Sequence, residues 1–289
     1  MLRLISYTLL YLLGVSLLSS VLAWGLASFV DFEFHKIFSR LLLLLIAISL
    51  VPLWRMNALS AEMIGFGGFS WRRLGASIAF SIAMLLPLML LFVVSGFRIW
   101  DTRVELFSAE FAQQLLLIGI GAILVGLFEE TLFRGFLQRL IGDRIGVSKA
   151  IWLLSLCYAM VHFLRPSEPT DAEIGLFTGL GVLANAFAGV FSFMEEITSF
   201  ATLIVVGVIL GFTRERLGLW VAIGLHAGWV MGIRTFKELT SRDIVNPFAE
   251  WTGSYDDFIG PLALFWLAFG FVLFRLYQHY VQNLQVGSR

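Results

Sequence analysis

Eight stretches of this chain are long and apolar enough to be read as membrane crossings: Leu4–Val30, Leu41–Trp54, Leu74–Phe97, Phe111–Phe128, Ala150–Leu164, Thr198–Thr213, Leu217–Ile233 and Phe258–Phe274. A bilayer core is crossed by about 20 apolar residues in a helix, and no water is available there to satisfy exposed backbone groups. The pattern therefore predicts an all-α polytopic transmembrane bundle of about eight spans. Composition agrees, with 59% apolar residues, 14% charged residues and a mean hydropathy of +0.88. An ordinary soluble domain carries about 25% charged residues. A water-soluble globule, a disordered chain and a nucleic-acid binder are thereby excluded. The 20 basic and 20 acidic residues cancel, so no bulk field recruits a nucleic acid. A single cysteine, Cys157, excludes an intramolecular disulfide and any cysteine-based zinc cluster.

The first run follows Arg3 and is too apolar for too long to be a cleaved leader, so it reads as a retained first helix. With the N-terminus in the cytoplasm, 12 of the 20 basic residues face inward: Arg3, Arg55, Arg72, Arg73, Arg134, Arg139, Arg144, Lys149, Arg214, Arg216, Arg275 and Arg289. Basic residues in short loops set orientation. The expectation is an integral, multi-pass protein (of the plasma or inner membrane if bacterial) with both termini cytoplasmic. Residues 174–194 carry no charge over a spanning length but are broken by Gly175, Gly179, Gly181, Asn185 and Gly189, and read as an interfacial or re-entrant segment. No linker or repeat interrupts the chain. By motif content it divides into N-terminal helices without an assignable motif (1–110), a catalytic helical core (111–235), and an outer loop with the last span (236–289).

Ionisable groups inside spans cost about 2.5–3.5 kcal/mol on insertion scales and are functional candidates by default. The conspicuous ones are Glu129 and Glu130, with Arg134 beyond them, then His162, then His226. Glu130 and Arg134 stand at i, i+4, share a helix face and can pair. Glu129 lies ~100° around the helix, with Leu132 and Phe133 at the positions where a local basic partner would stand. Such a carboxylate suits general acid–base work, which makes Glu129 the catalytic candidate and Glu130 the structural one. At about 1.5 Å per residue, Glu129 is ~15 Å from Arg139, His162 ~20 Å from Lys149 and His226 ~15 Å from Arg216. One carboxylate and two imidazoles thus lie at similar depths. On the His226 helix, Gly224, Gly228 and Gly232 recur every four residues as a close-packing stripe, with Val230 one turn below His226.

The remaining features read as packing or solvation. Glu195 and Glu196 repeat the paired carboxylate, but Phe200 replaces the arginine that would complete it. Arg98, Trp100 and Trp251 read as interface anchors.

Glu129-Glu-Thr-Leu-Phe-Arg134-Gly resembles the EExxxR motif of the CPBP family, the CAAX-processing (CAAX prenyl protease 2) and bacteriocin-processing intramembrane proteases that also include lysostaphin-resistance-like members. Tyr158-Ala-Met-Val-His162 is similar to its FxxxH motif, with Tyr for Phe. Leu219-Trp220 followed by His226 resembles its third motif, whose usual Asn or Asp falls here on Val230. The resemblance covers roughly 119–232. It implies an intramembrane endopeptidase acting on a membrane-associated protein or peptide, of which a prenylated CAAX C-terminus is one class. In it Glu129 and His162 would polarise water, His226 would stabilise the oxyanion, and Glu130, Arg134 and Tyr158 would support them. The family's partners are the lipid bilayer and that substrate. No cofactor is expected. If zinc is used, Glu129, His162 and His226 are its ligands. The competing classes are a proton-coupled transporter using the same three groups as a relay, and a non-catalytic immunity or adaptor protein, for which Val230 is the argument.

Overall fold

A computed structural model describes residues 2–56, 60–169 and 174–272. The end of the last predicted run, with Arg275, His279 and Arg289, lies outside the described residues. Long helices dominate: α1 (Leu2–Ala27), α2 (Phe34–Met56), a short α3 (Ala61–Ile64), α4 (Trp71–Val94), α5 (Ala109–Glu130), α6 (Gln138–Ile145), α7 (Val147–His162), α8 (Thr178–Gly189), α9 (Ile197–Leu217), α10 (Leu219–Leu239) and α11 (Pro261–Val272). Among the described residues, five helical stretches are long and apolar enough to cross a bilayer, the longest running unbroken over Ala109–Ile145. The chain is an all-α polytopic membrane protein. It forms two compact units that interleave along the sequence: Met1–Leu59 with Met160–Met194, and Ser60–Ala159 with Glu195–Arg289.

In the first unit α1, α2 and α8 pack around Ala23, Phe34, Ile37, Phe38 and Val182. The glycine-rich segment forms α8, twelve residues followed by one 3₁₀ turn (Val190–Met194). Gly179 sits so close to Phe38 and Ser20 that a Cβ would come within 2.7 Å of both, which is the packing its interruptions serve. The first turn of α2 is capped from a distant loop: Glu168 accepts the backbone N–H of Phe34 and of His35, each at 3.3 Å. Burial pushes the Glu168 carboxyl upward, but these bonds and the one to the His35 ring prevail and hold it below its ordinary value.

The second unit is built on α10, which packs against α4, α5 and α9. The glycine stripe explains the α4 contact. A Cβ on Gly224 would stand 2.0 Å from Ser77 Oγ, one on Gly228 1.8 Å from Ser81 Oγ, and one on Gly232 3.3 Å from Leu85. Both serines turn their hydroxyls back onto their own helix, to Leu74 O and Ile78 O, so they face α10 without an unsatisfied donor. On the α5 side, a Cβ on Gly126 would be 3.0 Å from Ile223 O. Small residues thus bring helix backbones together where burial of apolar surface gives no drive. Beyond α10, two short strands, β1 (Arg98–Trp100) and β2 (Thr240–Arg242), pair antiparallel.

Arg98 corrects the sequence reading. It is 3% exposed, with Nε donating to Thr240 Oγ1 (2.7 Å), Nη2 to Thr240 O (2.6 Å) and Nη1 to Asp257 O (3.0 Å). It ties the ribbon to the following loop instead of anchoring in headgroups.

Candidate active site

The first motif begins where helix geometry changes. α5 ends at Glu130, residues Thr131–Leu137 wind as a π-helix, and α6 resumes the α form. Such π segments are rare and are frequently found at functional sites. Gly135 lies in this stretch because α3 presses on it: a Cβ there would come 2.7 Å from Ile64 Cγ2.

Glu130 is fully buried, and its Oε1 takes two bonds. Arg134 Nη1 donates at 3.1 Å and His226 Nδ1 lies at 2.8 Å. The pairing of Glu130 with Arg134 is therefore present, but Glu130 does more than the helix-local reading allows. It is also the group that orients the His226 ring. A carboxylate acceptor on Nδ1 assigns the proton to that nitrogen and turns Nε2 outward. His226 is 4% exposed. Its Nε2 points at Glu129, 3.9 Å from Oε2, and the Glu129 side chain retains 23% exposure. The two adjacent glutamates thus approach opposite nitrogens of one imidazole, the inner one hydrogen-bonded and the outer one at a longer distance.

Aromatic and backbone groups fix this arrangement. The Arg134 guanidinium lies over the Tyr158 ring, 4.5 Å from its centroid, while Nη2 donates to Gly207 O of α9 at 3.3 Å. Tyr158 is 2% exposed and stands edge-on to Phe133 (5.5 Å) and to His226 (6.3 Å). Tyr158, identified from the second motif, is therefore a wall of the cluster. One turn further, Gln138 Nε2 donates to Gly211 O (3.1 Å) and Glu215 Oε1 (2.8 Å). Gly207 and Gly211 let α9 approach α7 closely, since a Cβ on either would come 2.8 Å from Ser155 or Ile151, and one on Gly211 would also stand 3.2 Å from Gln138 Oε1. The parts that sequence reading missed are the π-helix, Gln138 and these two glycines. Gln138, one turn beyond Arg134, was the available signal.

His162 closes α7, half-buried, one turn beyond Tyr158, at the point where the chain passes into the first unit. Val230 is half-buried, one turn beyond His226 on α10. Trp229 is 5% exposed and lines an apolar cavity. Glu195 is exposed, as a solvated residue should be.

His226 Nε2 and Glu129 Oε2 are the two atoms here that could share an ion. Glu130 on Nδ1 supplies the carboxylate that orients a metal-binding histidine, which sequence alone could not place. Their 3.9 Å separation is wider than the about 3.4 Å that tetrahedral zinc with ~2.1 Å bonds requires. In the first unit Glu33, His35 and Glu168 present ligand atoms within 4.8 Å of one another, but the two glutamates are exposed and already pair with Lys36 and His35.

No curated protein and no solved structure matches the chain. A protein-family model does, the Rce1-like type II CAAX prenyl endopeptidases, over residues 111–232. That interval runs from the start of α5 past His226 and takes in all three motifs. Residues 111–232, which hold the buried Glu130–Arg134–His226 cluster and the Glu129 carboxylate beside it, are similar to the Rce1-like type II CAAX prenyl endopeptidases, a match that supports a CPBP-type intramembrane protease.

Proposed function

We propose that the protein is a glutamate-dependent intramembrane endopeptidase that hydrolyses a peptide bond of a membrane-associated protein or peptide, with a prenylated CAAX-type C-terminus as one class of substrate. Glu129 is the general base, with His162 as its partner in polarising water. His226 is the group that meets the developing oxyanion, and Glu130, Arg134 and Tyr158 hold it in position.

The single observation that carries this reading is the 3.9 Å between Glu129 Oε2 and His226 Nε2. It is too long for a direct hydrogen bond, yet one oxygen can lie about 2.8 Å from both atoms. A water there gives its proton to Glu129. Its oxygen bonds to the scissile carbonyl carbon, and the carbonyl oxygen that takes up the charge faces the His226 ring, which Glu130 holds by Nδ1. As the adduct collapses the C–N bond breaks, and Glu129 passes the proton to the leaving amine. Glu130 keeps its role because its bonds to Arg134 and Nδ1 persist through both steps. A metal-dependent version of the same site rests on Glu130 orienting His226, and zinc would then act as Lewis acid. Activity lost to a chelator and restored by zinc selects it.

The test compares wild type with Glu129→Gln and His162→Ala in proteomics of C-termini and membrane-protein fragments. Each substitution should abolish cleavage while the protein still inserts and accumulates. Cleavage at the wild-type level by either variant removes that residue from the mechanism. A proton-linked flux in liposomes, with no cleavage product, would assign the site to transport instead.

A further inference from the structure

The second unit contains a cavity of about 880 Å³ that the proposed chemistry does not use. It lies between α4, α9, α10 and α11, on the side of α10 that presents Val221, Leu225 and Trp229. Its walls are mostly apolar, with the hydroxyls of Ser77 and Thr213 among them, and its two charged side chains stand at one end: Arg73 in the first turn of α4 and Arg216 in the last turn of α9. Among the described residues, no carboxylate lines it. From Arg73 to Met84 the wall follows α4 for eleven residues, ~16 Å along the axis. That is about half of a 30 Å hydrocarbon core, or the depth of one leaflet. Phe80 and Phe269 on its rim are 63% and 59% exposed, on helical surface that faces acyl chains in a membrane.

An apolar slot one leaflet deep, with two guanidiniums at its interfacial end, matches one class of occupant in shape and charge. We propose that the cavity is a binding site for an anionic glycerophospholipid, its phosphate between Arg73 and Arg216 and one acyl chain running along α4 toward Met84. Guanidinium is suited to the head because it meets phosphate oxygens in a bidentate manner. A zwitterionic lipid offers the same phosphate but carries a compensating cation, so charge discriminates the two. The chain end reaches Trp229, three residues after His226 on the same helix, which joins this site to the helix that carries the oxyanion group.

The test uses the purified full-length protein in detergent and native mass spectrometry. Dioleoylphosphatidylglycerol and dioleoylphosphatidylcholine, equal in chain length, are added in equal amounts. The anionic lipid should be retained in preference, and each guanidinium removed should cost roughly fivefold of that preference. Arg73→Gln with Arg216→Gln should therefore retain the two lipids alike, whereas Arg73→Lys with Arg216→Lys should keep most of the preference. Ala76→Phe, which fills the wall and leaves every charge in place, should lose the bound lipid. Equal retention of both lipids by the wild type overturns the proposal, and so does an undiminished preference in the glutamine pair. Retention by Ala76→Phe means that the lipid binds to other basic residues outside the cavity, which also overturns it.

Discussion

Glu130 Oε1 receives both Arg134 and His226 in a site without solvent exposure, so the free energy of this cluster depends on all three groups being present. Removing one member of a buried pair costs about 3–5 kcal/mol, because the charge left behind has no partner. Glu130→Ala and Arg134→Ala should each lower the detergent melting temperature by an amount of that order. The double variant should be less damaged than the sum of the two, and strict additivity in the cycle would show that they do not interact. The i, i+4 spacing makes this pair legible in the sequence. The His226 bond is not, because it joins residues 96 positions apart and only folding brings them together. Val230 is the second test at this scale. It is half-buried at the position where the family offers a hydrogen-bonding side chain. In Val230→Asn an amide well aimed at the oxyanion is worth about 2.7–4 kcal/mol, against about 1–3 kcal/mol for a polar group left without a partner. A modest rise in turnover with a small loss of melting temperature is expected, since a site that admits water can solvate the amide. Turnover falling to that of Glu129→Gln, with the fold intact, would show that this face packs against apolar groups and that His226 is structural.

At the level of helices, the periodicity of Gly224, Gly228 and Gly232 predicts a close contact but not its partner, and the structure supplies α4 with Ser77, Ser81 and Leu85. Gly228→Ala would place a Cβ 2.6 Å from Ile78 O and 3.0 Å from its Cα as well as against Ser81 Oγ, so trimming the serine gives no relief. Overpacking of this kind costs about 1–3 kcal/mol and at times more. Gly75 on α4 has nothing within 4 Å of its missing Cβ. There Gly→Ala should gain up to about 1 kcal/mol from helix propensity. A fall in melting temperature for Gly228→Ala beside no fall for Gly75→Ala is the expected outcome, and equal effects would mean that α10 does not pack on α4 as described. Two element-scale features could not be read in advance. The π-helix over Thr131–Leu137 leaves the residue types unchanged and alters only how the backbone bonds are shared. An arginine near a helix end normally reaches headgroups, whereas for Arg98 the β1–β2 ribbon and Asp257 O supply buried acceptors.

Across the second unit, contacts sort the loops onto two ends. At one, Arg214 reaches Met63 O, Trp220 donates to Phe66 O and Gln138 bonds Glu215, so the α3 region, the start of α6 and the α9–α10 turn converge. The residues there, and in the neighbouring first turns of α4 and α7, include Arg72, Arg73, Arg139, Arg144, Lys149, Arg214 and Arg216. At the other end the β1–β2 ribbon meets Asn246, Asp256 and Asp257, and Arg98 is consumed within the fold. Short basic loops resist translocation, while acidic ones carry little weight. The basic end should therefore lie in the cytoplasm, with the ribbon outside, as the N-in, C-in orientation requires. Replacing Cys157 by Ala leaves a background without cysteine, in which Ser148→Cys probes the basic end and Val245→Cys, at a position 85% exposed beside the ribbon, probes the other. In intact cells a membrane-impermeant maleimide should label Val245→Cys and leave Ser148→Cys untouched until the membrane is opened. Labelling of Ser148→Cys in intact cells would invert the molecule. Arg73 and Arg216 would then face the outer leaflet, and a substrate would have to present its cleavage site from the other side.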